Sequence, residues 1–311
     1  MLSLFKRRNQ QSDLTAVALQ AEGVAIAQVA HGGARPRLQR LEFRAWDSAA
    51  NDPKTLARVA HDFGLKRARC ATVLAPDDYK LLLAEAPDVK ADELKAAVRW
   101  RIKDLIDFHI NDATLDVFEL PNVGAAGGPR SMYAAVARKQ TIQARVDLLE
   151  TAGMNLDVID IPELAQRNLA ALTPQDANGV VLLSLYADGG LLTVTKQAQM
   201  YFSRTIDVGF NALRESARAA DYFDRIALEV QRSLDYYDSH FRQAPLAQLL
   251  IAPVPDEIPG LVDHLNANLG IKAAMLDLSA VLDFGQPAPA DVQWRCLTAV
   301  GAALRREHRA L

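Results

Sequence analysis

Residues 14–43 read LTAVALQAEGVAIAQVAHGGARPRLQRLEF, and this stretch decides the fold. Thr15 to Leu19 is an apolar, β-like run. Glu22-Gly23 is a turn signal, and Val24 to Val29 is a second run. Gly32-Gly33 turns the chain again into Leu38 to Phe43, where Gln39, Arg40 and Glu42 interleave with apolar residues. A three-strand meander is predicted. Asn51-Asp52-Pro53 then opens a helix, with Asp52 as N-cap and Pro53 in the first helical position. Leu56, Val59, Ala60 and Phe63 form its apolar face and Gly64 ends it. Cys70 to Pro76 reads as a buried strand.

The second half repeats this order. Gly179 to Leu185 is a strand, Asp188-Gly189-Gly190 a turn, and Leu191–Thr195 with Met200–Val208 complete a second meander. A helix of about 218–241 keeps Phe223, Ile226, Ala227, Val230, Leu234 and Tyr237 at helical spacing. Leu249 to Pro253 echoes Val73 to Pro76. The chain is therefore α/β, a duplicated β-β-β-α-β unit, and two such units face each other across a cleft in a known class of two-lobed proteins. Clefts between lobes are where ligands sit. The first lobe is expected over 1–175 and the second over 176–311.

An insert of about 79–160 interrupts the first lobe. It predicts a helix over 89–108 carrying Leu94, Val98, Trp100, Ile102, Leu105 and Ile106. A hairpin pairs Asp116–Leu120 with Met132–Ala137 around a loop with Gly-Ala-Ala-Gly-Gly at 124–128. A helix from Gln140 to Thr151, a strand from Leu156 to Ile161 and a helix opened by Pro162 follow. Thr173 to Asn178 reads as the linker between lobes. The last helix, Trp294 to Arg306, carries Ala299, Gly301, Ala302 and Ala303, small residues that permit close approach of another element.

The 311 residues are 50% hydrophobic and 23% charged, which excludes a wholly disordered chain. A net charge of −3 gives no sign of a nucleic-acid partner. Cys70 and Cys296 read as buried small hydrophobes in a reducing compartment. No apolar run reaches the length of a membrane span, and Met1–Phe5 before Lys6-Arg7-Arg8 is too short for a signal-peptide core. Met1–Arg8 reads as a frayed segment or as a weak contact for an anionic membrane surface.

The glycines at 124–128 lack the Lys-Ser/Thr of a phosphate loop. The six histidines show no metal-ligand spacing, and no Gly-x-Ser-x-Gly elbow is present. Asp157, Asp160 and Glu163 cluster at a strand end, where they serve either a cation or a helix N-terminus. Trp100 and Tyr133 are either core residues or lining of a peptide groove.

Several segments now resemble one family. The start Met1–Arg8, the passage Phe202-Ser-Arg-Thr-Ile-Asp-Val-Gly209, the helix Leu228-Glu-Val-Gln-Arg-Ser-Leu-Asp-Tyr-Tyr237, Ile258-Pro-Gly-Leu261, Leu269-Gly-Ile271 and the small-residue helix Ala299–Arg305 occur in its order. The chain resembles the PilM-like, actin-like pilus-assembly ATPases, and within them the mannose-sensitive haemagglutinin (MSHA) branch. The resemblance implies an actin-like, duplicated ribonuclease-H-like fold, two-lobed, with an inserted α+β subdomain in the first lobe. It implies a cytoplasmic protein peripheral to the inner membrane, bound to the cytoplasmic N-terminal tail of a PilN- or MshJ-like bitopic protein. A homo-oligomer stays open.

The nucleotide loops depart from the family's pattern. Its first phosphate loop, Asp-x-Gly followed by small residues and a cation, has Ala18, Gln20 and Ala25 in its place. The second has Ser184 and Tyr186, and the adenosine loop has Ala252-Pro253. Magnesium needs oxygen ligands, and phosphates need backbone N–H groups that bulk or proline obstructs. ATP with magnesium is disfavoured as a cofactor, and no enzyme activity is expected. The groove implied by the resemblance lies between insert and first lobe, with Arg99, Trp100, Tyr133 and Arg138 as candidate residues. Two alternatives remain. One is an ATPase, for which Asp188-Gly-Gly190 and Asp207-Val-Gly209 supply the nearest carboxylates. The other is the cytoplasmic part of a type II secretion component.

Overall fold

The computed structural model describes residues 14–48, 50–90, 93–121, 130–214, 218–241, 245–246 and 248–306. The first lobe begins with β1 (Leu14–Leu19), β2 (Gly23–Ala30), β3 (Arg37–Ala45), α1 (Pro53–Asp62) and β4 (Arg69–Val73). The chain leaves it for β5 (Tyr79–Glu85), α2 (Leu94–Ile102), β6 (Ala113–Glu119) and β7 (Ser131–Arg138). It returns with α3 (Lys139–Thr151), β8 (Leu156–Asp160) and α4 (Pro162–Ala170). The second lobe holds β9 (Val180–Leu185), β10 (Gly190–Lys196), β11 (Gln199–Ile206), α5 (Phe210–Arg214), α6 (Ala219–Phe241), β12 (Gln248–Ile251), α7 (Leu261–Asn268) and β13 (Lys272–Met275). Then come α8 (Leu278–Val281), β14 (Asp283–Phe284) and α9 (Ala290–Ala303).

Both sheets share one order, to which the first adds β14 beside β3. The first runs β14-β3-β2-β1-β4-β8 and the second β11-β10-β9-β12-β13. In each, an antiparallel meander is extended by parallel strands, as the repeat in the sequence requires. The central strands are continuous apolar runs because both faces are covered. On one face of the first sheet, Val17, Leu19, Val24 and Ile26 meet Leu56, Val59, Leu149 and Met154 of the α1–α3 layer. The other face presents Ala16, Ala18, Ala25 and Ala27 to Cys296, Ala299, Val300 and Ala303 of α9. Small residues on both sides bring the helix close to the sheet.

The helices between the lobes exchange partners. α9, last in sequence, lies on the first sheet, while α4 reaches the second, packing against β9, β10 and β11. Gln166 of α4 donates to the carbonyls of Leu182 (2.5 Å) and Leu191 (3.1 Å) there. α4 and α9 cross at Ala165 and Gly301, so neither lobe is completed by a contiguous piece of chain.

The cap at α1 is as expected, with Asp52 accepting from the amides of Lys54 and Thr55 and Gly64 at φ +64° beyond the last turn. Three expectations are corrected. The helix of the insert spans only Leu94–Ile102, because Ile106 and Phe108 fold back into the insert's core. α3 and β8 rejoin the first lobe, β8 pairing with β4, so the separate sheet of the insert covers 79–138. Thr173–Asn178 is a single turn fixed to the second lobe, with Asp176 accepting from the amides of Gln197 (2.9 Å) and Ala198 (2.7 Å). The glycines at 124–128 and Met1–Arg8 lie outside the described residues.

Candidate functional site: the closed cleft and the inserted sheet

Two turns, β1–β2 and β9–β10, are both reached by α9. In the first, Ala18 and Ala25 are partners in register, both buried under α9. Their side chains carry no oxygen. The Gln20 side-chain amide donates to the carbonyl of Arg295 at 2.6 Å, and the Gln20 backbone carbonyl accepts from the Trp46 indole at 2.9 Å. In the second turn Ser184 is buried with its hydroxyl unpartnered among the described residues. Tyr186 is half-buried, its hydroxyl bonded to Thr298 of α9 and pushed up from the usual tyrosine range by desolvation, with Glu163 adding to the shift.

The second turn is held by backbone hydrogen bonds within itself and to the start of α5. Tyr186 N–H donates to Gly189 (2.7 Å), Phe210 N–H to Tyr186 (2.7 Å) and Asn211 N–H to Ala187 (2.9 Å). Gly209 lies so close to this turn that a Cβ there would come within 2.3 Å of Gly189 N. α9 bridges both turns. Trp294 donates its indole N–H to Leu185 O at 2.5 Å and its ring packs 5.7 Å from Phe210, while Arg295 lies over Phe43 at 4.6 Å. The sequence reading missed Trp294, Arg295 and Thr298. Only their place at the start of a long terminal helix was visible.

These residues do not fit a magnesium nucleotide. The carboxylate position is an alanine under a helix, and Gln20 and Tyr186 put side-chain bulk at the two turns where phosphate would need close backbone approach. The alternative carboxylates both lie in the second lobe, Asp188 between β9 and β10 and Asp207 just after β11. Asp188 is exposed and accepts from Asn211 at 3.1 Å, and Asp207 lines a cavity of about 280 Å³ with Arg225, Glu229 and Arg232. Ala252 is fully buried, its amide donating to Leu183 at 2.8 Å. Pro253 lines a cavity of about 520 Å³ with Ile251, Val254, Ile258 and Met275.

The carboxylates at the end of β8 separate into three roles. Asp157 pairs with Arg69 near the surface. Asp160 is buried and meets Arg305 at 3.1 Å. Glu163 accepts from the Tyr79 hydroxyl. Burial raises the pKa of both Asp160 and Glu163. No metal-ligand group of three forms among the described residues. Burial likewise pushes the Cys70 thiol to about 11 and the Cys296 thiol to about 12, which leaves both unreactive.

The inserted sheet, in order β5-β7-β6, has two covered faces. Met132, Ala134 and Val136 of β7 point to Leu94, Val98 and Ile102 of α2. The intervening Tyr133, Ala135 and Ala137 point the other way, towards Leu74, Ile161 and Leu164 of the lobe junction and Met200 of the second lobe. The strand period of two thus puts Tyr133 and α2 on opposite sides. Tyr133 is buried, pushed up to about 12 by desolvation, and bonded to Ser203. Arg99 donates to the carbonyls of Ile110 (2.6 Å) and Ala113 (3.0 Å), a fixed clamp. Arg138 lies over Phe108 at 4.4 Å and beside Asp107 at 3.6 Å. Trp100 alone is free, 66% exposed on the outer face of α2. The four candidates therefore do not line one groove.

An open edge is present instead. Among the described residues β5 pairs only with β7, and its Leu83 is 48% exposed. Such an edge offers unpaired N–H and C=O groups to an added strand. No helix among the described residues is long and apolar enough to cross a membrane.

Order of strands, exchanged helices and inserted sheet define an actin-like α/β protein. Residues 55–222 match the family of the type IV pilus assembly protein PilM, and the chain belongs to that family. Among solved structures, it is similar to PilM in a PilM–PilN type IV pilus biogenesis complex, with 18% identity, a TM-score of 0.73, and 94% of this chain and 98% of that one covered. It is also similar to the cytoplasmic domain of EpsL, an inner-membrane component of the type II secretion system of Vibrio cholerae. There the identity is 13%, the TM-score 0.51, and the coverage 95% and 97%. A Bacteroides thetaiotaomicron protein of actin-like ATPase fold and unknown function matches at 8% identity and TM-score 0.51, over 90% and 96% of the two chains. No curated protein matches the sequence.

Proposed function

We propose that this chain is a non-catalytic, actin-like adaptor of type IV pilus assembly that holds the cytoplasmic tail of a PilN-like bitopic inner-membrane protein. The cleft supports the non-catalytic reading: its two phosphate turns are bonded to α9 rather than open to a nucleotide. The resemblance of the PilM–PilN complex supports the partner class. The sequence resemblance to MshI favours an MSHA-type pilus and an MshJ-like partner. The cytoplasmic face of the inner membrane is the place such a partner requires.

The observation that carries the docking mode is β5. A tail adding to its open edge gains main-chain hydrogen bonds, and Leu83 supplies an apolar contact. Leu83→Asp places a charge on that contact without touching the core. A labelled tail peptide from the co-encoded bitopic protein should bind the wild type and bind the variant at least about 10-fold more weakly, since losing a buried apolar contact and desolvating a charge exceeds 1.4 kcal/mol. Equal binding would remove β5 as the dock.

Magnesium-ATP gives the second test. A ligand at about 100 times its Kd adds roughly 2.7 kcal/mol, a rise in melting temperature of about 5–10 °C for lobes of this size. No rise is expected at millimolar magnesium-ATP. A clear rise, with phosphate release lost on Asp188→Ala or Asp207→Ala, would restore the ATPase reading.

A further inference from the structure

The second lobe carries an apolar socket with an acidic rim. It lies where the parallel strands β12 and β13 end and α7 begins, the end at which such sheets leave a crevice. Pro253, Val254, Ile258, Val262 and Met275 supply apolar walls to its cavity of about 520 Å³. Proline at 253 removes a backbone donor there, so the cavity suits an apolar group. Met275, on the edge strand β13, is 44% exposed. Glu257 and Asp263 line the same cavity, both exposed, and neither forms an ion pair among the described residues. No cationic side chain among the described residues lines it.

The inserted sheet's helix carries the matching knob. Trp100 of α2 is, at 66%, the most exposed large hydrophobic among the described residues. Arg99, Arg101 and Lys103 lie within four residues of it, against the single acid Asp104. Arg99 is held by the carbonyls of Ile110 and Ala113 rather than by a carboxylate. Arg101 meets Glu85 at 3.5 Å, a solvent-exposed pair of little strength. An indole among cations complements an apolar cavity edged by carboxylates, as an aromatic anchor fills a pocket within a rim of opposite charge. Trp100 is not among the residues that line the cavity of its own chain.

We infer that Trp100 of one copy of this chain seats in the socket between Pro253 and Met275 of a second copy, joining the two head to tail. Knob and socket are different surfaces, so the contact is heterologous and leaves one of each free for a further copy. It does not rest on the tail dock at β5. Sedimentation of the full chain at rising concentration tests it. At low salt and on the order of 100 μM, the average mass should exceed that of a monomer, and high salt should lower it. Trp100→Ser should weaken association at least about 30-fold, the loss expected of an aromatic anchor. Glu257→Lys, Asp263→Lys and Met275→Asp combined should weaken it as much from the other side. All four positions are exposed, so melting temperatures should hold. A mixture of the two variants keeps one intact knob and one intact socket, and it should form dimers and nothing larger. Leu83→Asp should associate as the wild type does, which separates this contact from tail docking. Three results would overturn the inference: a wild type that stays monomeric, a Trp100→Ser chain that associates undiminished, or a variant mixture without dimers. A monomeric wild type whose socket variant loses the tail peptide would assign the cavity to the partner protein instead.

Discussion

Arg305→Ala should lower stability by about 3–5 kcal/mol at pH 7.5 and by far less near pH 4. Arg305 meets Asp160 at 3.1 Å, and Asp160 is 2% exposed at the end of β8. Removing the guanidinium leaves a buried carboxylate without its counter-charge. The pH dependence follows from the sign of the shift. Burial raises the folded-state pKa of Asp160 above its ordinary 3.8, against the opposing pull of Arg305. An acid raised in the folded state is protonated there at no penalty below the unfolded value. The penalty grows as pH rises from about 4 to the folded pKa and is constant beyond it. Loss of Arg305 raises that pKa further, so the gap between variant and wild type widens with pH. Urea unfolding at the two pH values measures it. An equal deficit at both would mean that packing of the Arg305 stem, not charge, carries the contribution.

Gly301→Val should cost at least about 3 kcal/mol and lower the melting temperature by about 6–12 °C. A Cβ at 301 would sit 2.2 Å from Ala165 O and 2.6 Å from its carbonyl carbon. Both belong to the backbone of α4, so no side chain can swing aside. Asn168 also donates to Gly301 O at 2.9 Å, which holds the two helices in this register. Because α4 serves the second sheet and α9 the first, prying them apart loosens both lobes at once. Gly270→Ala is the control: its Cβ would meet nothing within 4 Å, and the melting temperature should stay within a degree or two. A small effect at Gly301 would mean the helices shift apart without loss, and the close crossing would not be what joins the lobes.

The same crossing bears on function. An open actin-like cleft needs room between its turns. Here the stretch Trp294–Thr298 of α9 is bonded to Leu185, Gln20 and Tyr186. Ala18 and Ala25 complete the small-residue face on which the helix rests. The alanines and the helix belong to one arrangement: a carboxylate at 18 would be desolvated beneath α9.

Strands, caps and the repeated unit were legible because they are written in neighbouring residues. Asp52-Pro53 and Gly64 mark α1 directly, and the continuous apolar runs of β1 and β9 mark central strands. The identities at 18, 20, 184 and 186, which argue against a nucleotide, need no coordinates either. Three things were decided only by tertiary structure. Trp100 and Tyr133 look alike as aromatic residues of the insert, yet the pleat of β7 sends Tyr133 into the lobe junction, while the helical turn leaves Trp100 in solvent. The grouping Asp157, Asp160 and Glu163 dissolves because each meets a partner distant in sequence: Arg69, Arg305 and Tyr79. The exchange of α4 and α9 between the lobes joins residues more than 130 positions apart, as in the 2.9 Å bond from Asn168 to Gly301. Local propensity determines what an element is, because its hydrogen bonds close within a few residues. Which element covers it depends on shape and charge matching across the whole chain, and no sequence window contains both halves of that match.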